Sequence, residues 1–391
     1  MSTGRLITDT PTLFPSMLLG RRQDSHWPPF SGGDVHYHFL ARNSLFAACR
    51  LLGLDGGEVL MPSYHHGVEV EAVAATGARP VFDRVDERWR VDLADLARRI
   101  GPDTRALYLI HYAGFPGPVA AMRRLANLHR LVLIEDCALS LLSADGDRPL
   151  GCQGDISLFC LYKSLPVPSG GAVRFNFPRH GEMPETRRPS TATTVSLLAS
   201  SLLLNLEMRS GRVGRALRSG IRALAHGAIR AGQVERVAVG TMHFNPDHAE
   251  LGAAPLSLAI ARRQNFDAII ARRRRNYQIL QRGLGELIPP LTTSLAVGVC
   301  PLFYPLWAPD KPELLERLGR DGIQAVDFWG THHPGCDPEA FPETMRCRRH
   351  IVEIPCHQDL SVPTMEWIVA RVRSALAPVE PSLPGALPSR G

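Results

Sequence analysis

One lysine in this sequence stands out as a residue suited to covalent chemistry. The 391 residues contain 44 lysines and arginines, of which only Lys163 and Lys311 are lysines. An amine condenses with a carbonyl group to form a Schiff base, whereas a guanidinium stays protonated and cannot. We therefore regard Lys163, which precedes the pair Gly170-Gly171, as the first candidate for chemistry, and Lys311 as a surface residue. The alternative is that arginine richness reflects coding bias and that neither lysine has a role.

A carboxylate 27 residues before Lys163 completes a chemically meaningful pair. The apolar run 131–134 predicts a buried strand, and Glu135 and Asp136 close it. Pyridoxal phosphate enzymes require a lysine that forms the internal aldimine and moves a proton, and an aspartate that keeps the pyridine nitrogen protonated. Lys163 and Asp136 therefore predict this cofactor. Taken alone, Asp136 is also consistent with an ordinary cap or loop residue.

The pattern before Lys163 predicts alternating strands and helices. Strands are predicted at 59–62, 80–83, 106–111 and 131–136, and helices at 44–54, 68–76, 93–100 and 119–129. This alternation is typical of right-handed βαβ units, which give an α/β fold with a mostly parallel sheet and helices on both faces. Ligands bind at the carboxyl ends of such strands. We therefore expect residues 62–66, 111–112, 135–136 and the Lys163 segment to converge on one site.

The chain is long enough for two domains, since single cores rarely exceed about 250–300 residues. Residues 1–35 are predicted to form an N-terminal arm or loop. Residues 36–284 would form a large cofactor-binding domain with a helical, basic segment at about 184–280, and residues 285–376 a smaller C-terminal α/β domain. The proline-rich residues 377–391 are predicted to be a disordered tail.

Charge and cysteine usage narrow the class of protein. The net charge is +6. The arginines at 272–275 and along 209–236 could suit an anionic partner such as a phosphate or nucleotide, but no nucleic-acid-binding motif accompanies them, so we interpret them as solvated helix faces. The eight cysteines form no C-x-x-C pair, so we expect no metal site and a reducing cytoplasm. No signal peptide is recognisable, and the apolar stretch 195–206 is too short to span a membrane.

Several motifs occur in an order that resembles a known family. They lie at 42–45, 56–64, 76–82, 111–116, 134–138, 154–155, 159, 163 and 170–173, with a weak match at 354–360. The sequence is similar to the DegT/DnrJ/EryC1/StrS aminotransferases, which are fold type I pyridoxal phosphate enzymes that act mainly on nucleotide-linked keto sugars. The similarity is strong over about 40–175 and loose elsewhere.

The resemblance implies roles for individual residues. Arg42, Asn43 and Ser44 would offer backbone or side-chain donors to the cofactor phosphate at a helix N-terminus; a plain helix cap is the alternative. His66 falls where the family places an aromatic ring stacked on the cofactor, and a loop histidine is the alternative. Metal binding by His65 and His66 is disfavoured because no third ligand stands nearby.

The sequence also departs from the family pattern. Ala41 and Arg42 replace the usual glycine and threonine of the phosphate turn. Leu139 replaces a glutamine that binds the ring hydroxyl of the cofactor, and Cys160 replaces the serine before the lysine. These departures, at positions that the resemblance implies contact the cofactor, suggest a divergent subgroup of the family.

Family members are homodimers whose active sites are completed by the partner, often through an asparagine. Asn245, five residues before Glu250, is our candidate for that role, although Asp247 stands where an arginine is expected. The resemblance implies a cytoplasmic aminotransferase that moves an amino group from an amino acid, with glutamate the first choice, to a keto group on a nucleotide-linked sugar or similar polar carbonyl compound.

Two other functions stay open at this point. A sugar dehydratase with the same cofactor is one, but family members that dehydrate sugars tend to carry histidine at the lysine position, so Lys163 argues against it. A non-catalytic paralogue is the other. It would bind the cofactor or a sugar nucleotide and serve as a regulator or dimer partner, and the departures at Ala41, Arg42 and Leu139 favour it.

Overall fold

A computed structural model describes residues 6–23, 25–178, 181–220, 241, 243–285, 287 and 295–377. The described chain forms a seven-stranded sheet, a three-stranded sheet and a two-stranded ribbon. The strands are β1 Asp34–His38, β2 Glu58–Pro62, β3 Arg79–Asp83, β4 Thr104–Ile110, β5 Val132–Cys137, β6 Ala144–Asp145, β7 Arg148–Pro149, β8 Ile156–Cys160, β9 Gly171–Phe175, β10 Phe303–Trp307, β11 Val326–Asp327 and β12 Ile351–Pro355.

Helices alternate with the strands of the large sheet and cover its two faces. They are α1 Ala41–Leu51, α2 Val68–Ala74, α3 Leu93–Arg99, α4 Val119–His129, α5 Thr191–Ser210, α6 Pro255–Ala261, α7 Phe266–Leu284, α8 Lys311–Arg320, α9 Pro342–His350 and α10 Val362–Leu376. Residues 212–220 are also helical. As predicted, Asp92 caps α3, since its side chain accepts hydrogen bonds from the amides of Ala94 and Asp95.

The large sheet has the order β1-β9-β8-β5-β4-β2-β3. The five strands β8, β5, β4, β2 and β3 are parallel to one another, whereas β9 and β1 are antiparallel to their neighbours. The α/β class predicted from the sequence is therefore confirmed. The four strands and four helices predicted before residue 137 are all present, with ends that shift by up to three residues.

Successive residues of β5 point to opposite faces of the sheet, and each face has its own apolar core. Leu133 packs in one cluster with Leu107 and Leu109. Ile134 packs on the other face with Tyr108 and Ile110. This alternation decides which of the two carboxylates that follow reaches the functional site.

The second sheet is antiparallel and has the order β10-β12-β11. Its core joins Tyr304 and Leu306 of β10 to Leu314 of α8 and Ile368 of α10. The predicted division between two domains near residue 285 stays a prediction, although this sheet lies entirely beyond that position.

The N-terminal segment is more ordered than the sequence predicts. The prediction of an arm or loop through residue 35 is wrong at its end, because Asp34 begins β1. The strand Asp34–His38 does alternate polar and apolar residues, with Val35 and Tyr37 packed on one core cluster, but the alternation is short and the prediction overlooked it. Earlier in the segment, Ile7 is buried and forms a bridge to Ile323.

Where it is described, the middle segment is mostly helical, as predicted, but residues 181–190 and 243–254 contain no α-helix and form bridges at Arg187, Leu251 and Gly252. Leu198 of α5 is buried, but Val195 is 54% exposed. The interpretation of residues 272–275 as a solvated face is wrong for Arg273, which is 1% exposed. Residues 221–240 and the predicted tail after 377 lie outside the described residues. Among the described helices, none combines the length and apolarity needed to cross a bilayer.

Candidate active site

A cavity opens at the carboxyl ends of the parallel strands β4, β5 and β8. Asp136 at the end of β5 and Lys163 after β8 both line it, although they are far apart in the sequence. Topology brings them together, because parallel strands end at the same edge of the sheet. The cavity wall includes six of the nine predicted site residues: Arg42, His66, Asp136, Leu139, Cys160 and Lys163.

Asp136 is fixed by two hydrogen bonds on the floor of this cavity. The Tyr108 hydroxyl donates to its Oδ2 at 2.7 Å, and the Ala138 amide donates to its Oδ1 at 2.8 Å. Burial raises the pKa of the Asp136 carboxyl, while these bonds and the charge of Lys163 oppose that rise. A cation placed against Asp136 would therefore keep the carboxylate ionised.

Glu135 does not belong to the site, contrary to the prediction for residues 135–136. It lies on the other face of the sheet, where it accepts hydrogen bonds from the amides of Gly151 at 2.6 Å and Gly154 at 2.7 Å and from His111 Nε2 at 3.1 Å. Although burial opposes it, the bond from His111 and the amides hold the pKa of Glu135 below its ordinary value. His111 is likewise absent from the cavity wall.

His111, Glu135 and Cys137 form a cluster with metal-ligand atoms within 4.8 Å of one another. Glu135 is saturated by the bonds just described, and His111 Nδ1 accepts from the Gly117 amide at 2.9 Å. Neither side chain offers an uncommitted ligand atom. We therefore assign the cluster a structural role.

Lys163 is half-buried in a tight turn, and its side chain lines the cavity. The amides of Ser164 and Leu165 both donate to the Leu161 carbonyl, at 3.2 and 2.8 Å. Within the described part of the chain, the Lys163 ammonium has no hydrogen-bond or ion-pair partner. Asp136 shares the cavity but is committed to Tyr108 and Ala138.

Lys311 is not the surface residue predicted from the sequence. It is 4% exposed, and its Nζ donates to the Arg348 carbonyl at 2.7 Å. It also forms an ion pair with Asp327. The contacts that bury Lys311 come from other segments of the chain, which local sequence does not reveal.

The N-terminus of α1 faces the cavity through Ala41 and Arg42. Leu40 precedes the helix and supplies no side-chain cap, so the first amide groups of α1 have no partner within the helix. A Cβ atom on Gly171 would lie 2.2 Å from the Ala41 nitrogen, which explains why only glycine fits there. Arg42 Nη1 donates to the carbonyls of Thr241 and His243, at 3.2 Å each.

Asn43 and Ser44 do not offer their side chains to the cavity. The prediction that their side chains donate to the cofactor phosphate is therefore wrong, and only the option of backbone donors stays open. Asn43 Nδ2 donates to the His248 carbonyl at 2.5 Å. Ser44 Oγ is hydrogen-bonded to His38 Nδ1 at 3.0 Å. Both side chains are buried against protein, and the α1 residues in the cavity wall are Ala41, Arg42 and Leu45.

His66 supplies an uncommitted polar atom beside Lys163. Its Nδ1 is buried and has no hydrogen-bond partner among the residues that the structure describes. Burial first, and then the charges of Lys163 and Arg42, lower the pKa of His66 from 6.5 to about 3, so the ring is neutral. The ring meets Trp329 edge-on at a centroid distance of 6.3 Å.

The side chains of the cavity fit pyridoxal phosphate. The uncapped α1 N-terminus and Arg42 suit an anionic phosphate. Asp136 suits a protonated pyridine nitrogen, and the unpaired amine of Lys163 suits the aldehyde. The unpartnered Nδ1 of His66 also marks a place where a bound molecule would complete the hydrogen bonding.

The departures from the family pattern lie in the cavity wall. Leu139 is 4% exposed and has no polar group to donate. Tyr162 is a hydroxyl-bearing side chain of the wall, and burial raises its pKa, so the hydroxyl stays protonated. Cys160 is also buried, which raises the pKa of its thiol and keeps it uncharged at neutral pH.

Asn245 lies outside the cavity of its own chain. It is exposed, and its Oδ1 accepts from the Asp247 amide at 3.0 Å, which caps a short 3-10 helix at Pro246–His248. The proposed contact of Asn245 with a partner's site stays a prediction.

Sequence reasoning missed Trp329, which lines the cavity and has a φ of 48°. This left-handed conformation is strained for a bulky residue. It is held by Arg348, whose Nη1 donates to the carbonyls of Trp329 at 2.8 Å and His65 at 3.0 Å. An aromatic residue followed by Gly330 is the local signal that marks such a turn.

A second cavity of about 540 Å³ adjoins the first and shares Lys163, His66 and Trp329 with it. Its wall also holds the carboxyl groups of Glu353 from β12 and Asp9 from the N-terminal segment. Burial raises the pKa of Glu353 to about 8, with the charge of Lys163 acting in the opposite direction. Neither residue was predicted, because each reaches the site from a distant end of the chain.

The whole fold matches those of several solved sugar aminotransferases. The putative sugar aminotransferase Spr1654 from Streptococcus pneumoniae, in its apo form, has a TM-score of 0.69 at 14% identity, with 94% of this chain and 97% of that chain covered. DesV from S. venezuelae has a TM-score of 0.64 at 21% identity, with 94% and 91% covered. The predicted fold type I architecture of pyridoxal-phosphate-dependent enzymes is thereby confirmed.

Within that class, residues 41–187 match the DegT/DnrJ/EryC1/StrS aminotransferase family. The family resemblance predicted from the sequence is therefore confirmed over the segment that contains Asp136 and Lys163.

Curated relatives agree over part of their length. GDP-perosamine synthase from Vibrio cholerae is 30% identical over 171 residues, which are 43% of this chain and 43% of that protein. A dTDP-4-dehydro-2,3,6-trideoxy-D-glucose 4-aminotransferase from Saccharopolyspora spinosa is 38% identical over 132 residues, which are 33% of this chain and 34% of that protein. The matches thus span less than half of each relative.

Proposed function

We propose that this chain is a pyridoxal-phosphate-dependent aminotransferase that transfers an amino group from an amino acid to a keto group on a nucleotide-linked sugar. The observation that carries the proposal is the pairing of an unpartnered lysine amine with a buried aspartate in one cavity. Glutamate is the expected donor. The relatives named above support a sugar acceptor.

The cofactor would supply a ring that accepts the electron pair released when a substrate C–H bond breaks. Lys163 would hold the cofactor covalently and, once free, would accept and return the substrate proton at Nζ. Asp136 would keep the ring nitrogen protonated through its carboxylate, and Tyr108 and Ala138 fix the orientation of that carboxylate. The first turn of α1, with Arg42, would bind the phosphate.

The adjoining cavity suits the acceptor. Carboxyl groups such as those of Glu353 and Asp9 accept hydrogen bonds from sugar hydroxyls, and Lys163 stands between the two cavities. We further propose that two copies of the chain form a homodimer, in which Asn245 completes the partner's site. A cytoplasmic location is part of the same proposal.

Borohydride reduction followed by peptide mass spectrometry tests this function. Reduction fixes a covalently bound cofactor on its lysine, and the chain offers only Lys163 and Lys311 as side-chain amines. We expect the added mass on Lys163 alone, after an absorbance band at about 410–430 nm has formed with added pyridoxal phosphate. Addition to Lys311, or to neither lysine, would reject the proposal.

A non-catalytic paralogue is the second candidate, and Leu139 favours it. An apolar side chain at this position leaves the ring hydroxyl of the cofactor without the usual glutamine partner. The half-reaction with glutamate separates the two functions. An aminotransferase shifts its absorbance from about 420 to about 330 nm when the amino group is transferred, whereas a non-catalytic binder keeps its spectrum.

A further inference from the structure

A buried arginine lies behind the turn that contains Lys163. Arg273 of α7 is 1% exposed, and its Nη2 donates to the Ser164 carbonyl at 3.2 Å. Gln358 Nε2 donates to the same oxygen at 3.0 Å. The carbonyl next to Lys163 therefore accepts two hydrogen bonds from residues that are 109 and 194 positions away in the chain.

These two donors are also bonded to each other. Arg273 Nε donates to Gln358 Oε1 at 2.8 Å, and its Nη1 donates to the carbonyl of Leu302 at 2.8 Å. Leu302 lines the second cavity. One guanidinium thus joins the Lys163 turn, the start of the second sheet and the segment after β12.

The partners of Arg273 are neutral oxygens, and no ion pair to a carboxylate occurs for it within the described residues. Burying an unpaired guanidinium is costly unless its hydrogen bonds are satisfied. A charged donor forms stronger bonds to carbonyl oxygens than a neutral one. The hydrogen bonds of Arg273 therefore fix the positions of the backbone carbonyls that accept them, and they do not neutralise a carboxylate.

We propose that Arg273 and Gln358 are positioning residues for Lys163. They fix the Ser164 carbonyl so that the neighbouring amine stays in the wall of the cavity that it shares with Asp136. Without them, the turn keeps only its internal bonds to the Leu161 carbonyl. This inference rests on the proposed function, in which Lys163 binds the cofactor covalently. Displacing the Lys163 amine should slow that reaction, because small displacements of a reacting group reduce rates strongly.

The substitution Gln358→Glu isolates the effect. The new carboxylate still accepts from Arg273 Nε, but it cannot donate to the Ser164 carbonyl and it repels that oxygen. Gln264→Glu is the matched control. Gln264 is also 5% exposed, and its Nε2 donates to the Ile260 carbonyl at 3.0 Å, away from both cavities.

Two measurements on the full-length protein separate positioning from general destabilisation. The first is the rate of covalent attachment after pyridoxal phosphate is mixed with cofactor-free protein, followed by absorbance and by borohydride trapping on Lys163. The second is the dissociation constant of pyridoxamine phosphate, which has no aldehyde and cannot react with the lysine. We expect Gln358→Glu to slow attachment about threefold to tenfold, the effect of one hydrogen bond, with pyridoxamine phosphate binding changed less than about twofold.

Gln264→Glu should change neither value, although it lowers the melting temperature. If Gln358→Glu does not fold, Arg273→Lys, which keeps the charge and loses the donor to Ser164, should show the same separation. Equal attachment rates in wild type and Gln358→Glu, or a parallel loss of both measured values, would overturn the positioning role alone. Absence of attachment in the wild type would overturn the proposed function and this inference with it.

Discussion

The two lysines of this chain occupy opposite environments. Lys163 lies in a cavity wall with no partner among the described residues, next to a carboxylate that is committed elsewhere. Lys311 is buried between the Arg348 carbonyl and the Asp327 carboxylate. The first environment leaves an amine available for reaction, and the second leaves none.

The difference shows that scarcity of a residue type does not by itself identify a reactive group. With 42 of the 44 basic residues being arginine, both remaining lysines invite a special explanation, and the structure gives two. In the proposed function, position 163 requires an amine that can condense, whereas position 311 requires a compact cation in a confined site. Only the surroundings distinguish these reasons.

Replacing each lysine with arginine should give the largest difference in activity between the two sites, with the loss at Lys163. Lys163→Arg should abolish covalent attachment of pyridoxal phosphate and transamination, because a guanidinium does not condense with an aldehyde. Borohydride trapping and the glutamate half-reaction measure the two losses. An active Lys163→Arg protein would remove the distinction between the two sites.

Asp136→Asn should have the next largest effect. A neutral amide no longer keeps the ring nitrogen protonated, so turnover should fall by about 10²- to 10³-fold, while trapping on Lys163 persists. Asp155→Asn is the control, because Asp155 pairs with Arg123 at 2.7 Å outside the cavity. Near-normal turnover in Asp136→Asn would point to Glu69, which also lines the cavity, as the group that faces the ring.

Lys311→Arg should affect stability and spare the chemistry. The larger guanidinium has to fit into a site where Lys311 is 4% exposed, and overpacking of this kind costs about 1–3 kcal/mol. Chemical denaturation should show that loss, with the attachment rate at Lys163 unchanged. A loss of attachment without a loss of stability would mean that Lys311 acts on the cofactor site.

The smallest predicted effect concerns pH and His66. Its folded pKa of about 3 lies below the ordinary 6.5, so the unfolded chain takes up a proton that the folded chain refuses. The contribution of His66 to stability is therefore present above pH 6.5 and is lost as the pH falls from 6.5 toward 3. Lys163→Met removes a nearby cation and should raise the pKa of His66, by less than the ~1–3 units that a close charge produces.

NMR titration of the imidazole ring measures that shift directly. Lys311→Met is the matched variant and should leave the pKa of His66 unchanged, since Lys311 is not among the charges that act on this ring. Equal values in wild type and Lys163→Met would place the Lys163 ammonium away from His66 and the cavity they share.

Local sequence was sufficient for the centre of the site. Buried parallel strands have recognisable apolar runs, and their carboxyl ends meet at one edge, so Asp136 and Lys163 could be brought together before any coordinates were known. Strand alternation also contains the information that Glu135 and Asp136 face opposite ways. The prediction that used both carboxylates overlooked it.

The supports of the site could not be predicted in the same way. Arg348 contacts the segments at 63–65 and 329–331, and Arg273 contacts three separate segments. In sequence each resembles any surface arginine on an amphipathic helix. Their burial depends on where whole helices pack, which is a property of the tertiary structure and leaves no local pattern.

The N-terminal segment of the folded chain has a consequence for synthesis on the ribosome. Ile7 bonds to the backbone at 322 and 324, and the Thr12 amide donates to Asp359 at 2.7 Å, across 347 positions of sequence. At a translation rate of about 5–20 residues per second, roughly 20–70 s pass between the synthesis of these N-terminal residues and the synthesis of their partners. Asp9, which lines the second cavity, therefore takes its place only after residues 322–324 and 359 have been synthesised, and a nascent chain halted before residue 320 would lack this part of the wall.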